Sequence, residues 1–156
     1  MAKYAFNNEM GGTQQALSSS YKTLGLVFAT SGSLRRGKVF DLLFGTNGTP
    51  ADNELEWQVA RMTADGTETA VTPNALDPAD AACLATAKAN ATAEPTVTAN
   101  SDLLYVPINQ RASYRWVAAP GSELVYPATA ASGIVVRAKS AGYTGTAGAH
   151  LLFEEQ

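Results

Sequence analysis

A chain of 156 residues with 46% hydrophobic and 16% charged content has the size of one domain and is too apolar for a self-repelling disordered polymer. Its net charge of −3 supplies no basic surface for nucleic acid, whose non-specific binding relies on basic groups displacing counterions. A lone cysteine, Cys83, excludes an intrachain disulfide, and no apolar run approaches the ~20 residues that span a bilayer.

Residues 1–19 predict an extended N-terminal arm. Asn7-Asn8, Gly11-Gly12, Gln14-Gln15 and Ser18-Ser19-Ser20 carry neither a helical nor a strand period, while Tyr4, Phe6 and Met10 offer apolar side chains for docking on a neighbour. The opening Met1-Ala2-Lys3-Tyr4 lacks the apolar stretch of a secretory signal, so cytoplasmic assembly is expected.

Residues 20–156 read as one β-sandwich domain. From Tyr21 onward alternation at period two dominates. Leu24, Leu26 and Phe28 share a face, then Phe40, Leu42 and Phe44, with Asp41 opposite. Leu55, Trp57 and Val59 alternate with Glu54, Glu56 and Gln58, the clearest half-buried strand. Asp65-Gly66 suits a tight hairpin turn, and a short strand returns through 68–71. One short helix is expected over 74–90. Asp77 supplies a cap, Pro78 the first helical position, and Ala79, Ala82, Cys83 and Thr86 a stripe of small groups. Strands resume after Glu94-Pro95. Leu104, Val106 and Ile108 face one way and Leu103 and Tyr105 the other, so Leu103 and Tyr105 are candidate interface residues. Tyr114 and Trp116, then Ile134, Val136 and Ala138, continue the alternation, and a last strand covers roughly 149–154. Strands that do not alternate with helices predict an all-β, jelly-roll-like antiparallel sandwich.

Catalytic chemistry is sparse. His150 is the sole histidine, too few for a multi-histidine metal site, and no Gly-x-Ser-x-Gly elbow presents a nucleophile. Glu54 and Glu56 lie two strand rises apart (roughly 6.8 Å), a glycosidase-like spacing that any solvated strand face also displays. Asp52, Asn53 and Glu54 lack the ligand pattern of an EF-hand. Arg35-Arg36-Gly37-Lys38 reads as a solvated strand entrance. No enzyme, cofactor, metal site or catalytic residue is expected.

Asp41-Leu42-Leu43-Phe44-Gly45, Thr49-Pro50-Ala51-Asp52-Asn53, the run Trp57 to Thr63, Ala64-Asp65-Gly66-Thr67, Leu76 to Ala82 and Asn109 to Gly121 resemble small β-sandwich proteins of tailed-phage heads. The likeness covers roughly 35–140. It implies a capsid decoration, or cement, protein: a jelly-roll subunit on the virion exterior, often a homotrimer, that clamps the major capsid protein and needs neither nucleic acid nor membrane. An arm over 1–19 then acquires a role in reaching across the shell. A carbohydrate- or receptor-binding sandwich on a tail or other virion site is the alternative. A sandwich hydrolase using Glu54 and Glu56 is the third.

Overall fold

Alternating apolar side chains give each strand one face to bury, and two sheets packed face to face are the resulting solution. The computed structural model describes all residues, Met1–Gln156. The strands are β1 (Lys3–Asn7), β2 (Lys22–Phe28), β3 (Gly37–Thr46), β4 (Glu54–Ala64), β5 (Thr67–Val71), β6 (Asn74–Ala75), β7 (Thr86–Ala93), β8 (Thr96–Asn109), β9 (Tyr114–Val117), β10 (Leu124–Tyr126), β11 (Gly133–Lys139) and β12 (Ala147–Glu155). One sheet runs β10-β3-β12-β1-β6, with β9 also on β3, and the other β5-β7-β2-β11-β4-β8. β1 lies beside β12, β2 beside β11, β3 beside β10 and β4 beside β8. These nested pairs alternate between the sheets, which is jelly-roll connectivity. β5, β6 and β7 are inserted between β4 and β8.

The inner faces meet in an apolar core. The Phe44 and Trp57 rings stack across it with centroids 4.8 Å apart and planes within 8°. Tyr4, Phe6 and Tyr126 gather round Phe153 at 5.6, 6.1 and 6.4 Å. Each such side chain contributes roughly 1.5–3 kcal/mol by leaving water. Gly37 is demanded by this packing, because a Cβ there would sit 2.1 Å from the Tyr126 hydroxyl.

The expected free arm is corrected. β1 pairs antiparallel with β12 in the register Tyr4↔Phe153 and Phe6↔Leu151, and Tyr4 and Phe6 are only 2% and 0% exposed. The physical signal was the alternation of Tyr4 and Phe6 with Lys3, Ala5 and Asn7, a five-residue strand. Beyond the 3-10 turn Asn8–Gly11, Leu17 is buried and its N–H donates to Gly145 O, so 1–19 is part of the domain.

The expected helix over 74–90 does not form. Asp77 does cap a turn: Ala79 N–H donates to its Oδ1 at 2.9 Å and Asp80 N–H to its backbone oxygen at 3.0 Å. The turn does not propagate, since a stripe of small groups buries too little to offset the cost of a helical nucleus. Instead Thr86–Ala93 becomes β7, pairing with β2 and β5, with Ala87, Ala89 and Ala91 buried at period two. Residues 83–85 are pinned from the other end of the chain, where the Glu155 carboxylate accepts from Leu84 N–H at 2.9 Å and from Ala85 N–H.

Asp65-Gly66 is not a hairpin turn either. β4 and β5 do not pair, because β7, β2 and β11 lie between them in the sheet order, and the two-residue connections Asp65-Gly66 and Glu94-Pro95 join β4 to β5 and β7 to β8. They flank a second core on that sheet's outer side, made of Leu26, Phe28, Ala60, Met62 and Val135. Glu94 fastens the connection by accepting from Thr23 N–H at 2.9 Å and from its hydroxyl at 2.6 Å.

Replacing Phe6 by Ala should cost about 3–5 kcal/mol, as should Trp57→Ala, because each leaves a void among rigid aromatic neighbours. Equilibrium denaturant unfolding measures both. Removing residues 1–7 should abolish the cooperative transition, whereas a dispensable arm would leave it unchanged.

Candidate functional site

The β-ladder registers fix which side chains share the open outer face of the first sheet. Arg115, Leu43, His150 and Asn7 form one row across β9, β3, β12 and β1, and Val117, Asp41, Leu152 and Ala5 form the next. Alternation puts Leu42, Phe44, Ala149 and Leu151 inward, which sends these rows outward. Leu43 and Val117 are 44% and 57% exposed.

Between them Arg115 and Asp41 form a bidentate pair. Nε donates to Oδ1 at 3.0 Å and Nη2 to Oδ2 at 2.5 Å. Asp41 is almost wholly buried while Arg115 remains exposed. The guanidinium is engaged by both carboxylate oxygens, so the patch offers apolar groups around a charge that is already paired.

At one end of this face is a groove of about 490 Å³, lined among others by Glu9, Gln14, Asn47, Ser113 and His150. Gly45 and Gly148 oppose each other in the β3–β12 ladder, and no side chain fills the space above them. A Cβ on Gly148 would find its nearest neighbours only at 3.9 Å, the side chains of Asn8 and Gln14. The groove sets amide, hydroxyl and carboxylate groups into a lining that is mostly apolar carbon, so it suits a small ligand with both polar and apolar faces. Burial lowers the pKa of the His150 imidazole, and the nearby Asp41 carboxylate partly opposes that shift.

Of the five residues singled out as interface candidates, Tyr4 and Phe6 are core residues, and the Tyr4 hydroxyl donates to Ala81 O at 3.0 Å. Met10, in the 3-10 turn, and Tyr105, on edge strand β8, are 37% and 49% exposed. Leu103 and Tyr105 do not share a face. Val59 pairs with Leu104 and Ala60 with Asp102, leaving Leu103 as an extra residue that packs, half-buried, on the main core. The Tyr105 hydroxyl donates to Glu56 Oε2 at 2.9 Å, and Lys139 Nζ lies 3.2 Å from Glu56 Oε1. These bonds hold the Glu56 carboxyl below its ordinary pKa, as an ionised structural group. Trp57 is fully buried and Trp116 half-buried against the core. Burial and the neighbouring Glu155 push the Cys83 thiol up to about 12, which suppresses the reactive thiolate.

Sequence reasoning missed Leu43 and Val117. Leu43 breaks the alternation of β3 as a leucine on the solvent side, and that was the available signal. The chain matches no known protein-family profile and no curated protein.

His150 makes a pH prediction. Its folded pKa lies below the unfolded one, so between the two the unfolded chain binds more protons. Stability is therefore full above the unfolded value of about 6.5, falls as pH drops through it, and levels off below the folded value. The thermal midpoint should lose this step in His150→Gln, and the imidazole proton resonances should titrate below pH 6.5.

Proposed function

We propose that the protein is a structural shell subunit that binds the outside of a phage head and stabilises it. The observation that carries this reading is the open outer face of β9, β3, β12 and β1, where exposed Leu43 and Val117 flank a charge pair already neutralised. Such a surface loses little on desolvation and gains by apolar burial, as interface centres do. Part of the opposite outer face is closed over its own second core, and the exposed Tyr105 there is tied to Glu56. The likeness to small sandwich proteins of phage heads supplies the kind of partner, the major capsid protein. A three-fold self-association would match an icosahedral lattice.

A glycan- or receptor-binding sandwich is the second reading, favoured by the groove beside His150, whose amide and hydroxyl groups stand among apolar carbon. It uses the same face and differs in where the contact energy resides. Contact through Leu43 and Val117 is apolar, whereas a sugar would engage Asn47, Gln14 and Ser113.

Mixing purified protein with heads that lack it should give saturable binding at a fixed ratio to the major shell protein and a higher temperature of genome release. Leu43→Asp combined with Val117→Asp should weaken that binding by roughly tenfold or more, equivalent to about 1.4 kcal/mol, with the protein's own melting unchanged. Absence of saturable binding, or equal binding by the double variant, would refute the assigned face. Saturable binding to a cell-surface glycan instead, lost on substitution of Asn47 and Ser113, would favour the second reading.

A further inference from the structure

Asp65, Glu68 and Lys88 converge where the β4–β5 connection meets β7. Lys88 stands opposite Leu26 of the second core, and its ammonium lies 6.0 Å from the centre of the Phe28 ring. It is in direct contact with the Asp65 carboxylate and 3.7 Å from Glu68 Oε2. The Glu68 side chain is 0% exposed. Its Oε1 accepts from Gly66 N–H at 2.8 Å, while Oε2 is buried without a hydrogen-bond partner.

A structural ion pair accounts for Asp65 and Lys88 but not for Glu68. One ammonium cannot neutralise two carboxylates, and a buried second acid with an unpartnered oxygen is costly unless it carries a proton. Burial does raise the Glu68 pKa, which favours that protonated form. The other lysine pairs lack this combination: the carboxylate partners of Lys22, Lys38 and Lys139 are all partly solvated, and none is a fully buried acid with an unpartnered oxygen.

We propose that Asp65 and Lys88 condense to an intramolecular isopeptide bond, with Glu68 as the proton relay. The ion pair first becomes a neutral amine and a neutral acid by passing the ammonium proton to the carboxylate; the Asp65 contact opposes this by raising the Lys88 pKa, and partial desolvation beside the second core favours it. Lys88 Nζ then adds to Asp65 Cγ. A carbon–nitrogen bond forms, the Cγ–OH bond breaks, and the hydroxyl leaves as water. That water takes its second proton from the attacking nitrogen through Glu68, which gives up its own proton, receives the nitrogen's, and ends unchanged. No oxidant, reductant or energy source enters. The resulting amide fastens the β4–β5 connection to β7 and closes the intervening chain into a ring. The inference is independent of the shell assignment.

The test is intact-mass spectrometry of the full chain held at neutral pH, alongside Lys88→Arg, Asp65→Ala and Glu68→Gln made in the same host. Wild type should weigh one water less than its sequence requires, and protease digestion should yield a branched peptide joining 65 to 88. Lys88→Arg and Asp65→Ala should keep their full masses, and Lys88→Arg, which retains the charge, should melt at a lower temperature than wild type. Folded Glu68→Gln should condense far more slowly. A wild-type mass with no water lost after prolonged incubation, or loss mapped to other residues, overturns the bond. Condensation of Glu68→Gln at the wild-type rate overturns the relay. If Glu68→Gln does not fold, Glu68→Ala and the pH dependence of the wild-type rate, which should fall as Glu68 loses its proton, decide the same point.

Discussion

The antiparallel ladder between the first strand and the last closes the jelly roll, and the other packing decisions follow from it. β12 runs through the middle of its sheet, with β3 on one side and β1 on the other. Its inward residues Leu151 and Phe153 can stay dry only if Phe6 and Tyr4 cover them. The same ladder positions Asn8, whose buried amide donates to Ala147 O at 2.9 Å and accepts from Ala149 N–H at 2.9 Å. Asn8 also donates to the Asn90 side chain at 3.1 Å, and Asn90 returns a bond to Asn8 O at 2.7 Å. This reciprocal pair ties the chain's start to β7 of the opposite sheet. Each bond has a modest net value of about 0.5–1.5 kcal/mol, yet leaving such groups buried and unpaired costs more than the bond gains. β1 therefore cannot leave the sheet piecemeal.

The long alternating strands were legible because a half-buried sheet face writes its period directly into the sequence, as Leu55, Trp57 and Val59 do. Shorter elements were not. Five residues of β1 carry only two large apolar groups, and the glycine- and serine-rich run behind them conceals that alternation. At 74–90 a true local signal misled: Asp77 caps a turn, but a cap specifies where a helix starts and not whether it propagates. The alternating alanines of β7 were the weaker, correct signal. The outer-face site was mostly illegible, because Leu43 and Val117 become neighbours of the Asp41–Arg115 pair only through register. Elsewhere a bulge between Leu152 and Phe153 shifts the β12–β3 register and one between Val59 and Ala60 shifts β4–β8, and period counting along one strand can place neither.

The two outer faces have opposite physical characters, and that asymmetry bears on the shell reading. One face bears Leu26, Phe28, Ala60, Met62 and Val135, nearly inaccessible within the chain itself. The other leaves Leu43 and Val117 in water. A partner gains most by covering surface the fold has not already covered. A net charge of −3 is compatible with that reading, since copies packed side by side in a shell would repel one another little.

A shell subunit also has to persist, and persistence is governed by the rate of unfolding more than by equilibrium stability. Nested pairing of distant strands makes folding slow, because loops must close before their contacts reward the closure. It also means that unfolding must break ladders joining both ends of the chain together. The two-residue connections matter most here. β4 and β5, and β7 and β8, are each continuous across a two-residue joint, so peeling either sheet edge drags on the other. The weak point is the joint itself, where Asp65 and Glu94 are held by side-chain bonds to Lys88 and Thr23. Charge-assisted contacts at a partly exposed joint open readily under acid or salt. A covalent link at Asp65 and Lys88 would remove that opening while leaving the outer face that bears Leu43 and Val117, on the opposite sheet, untouched.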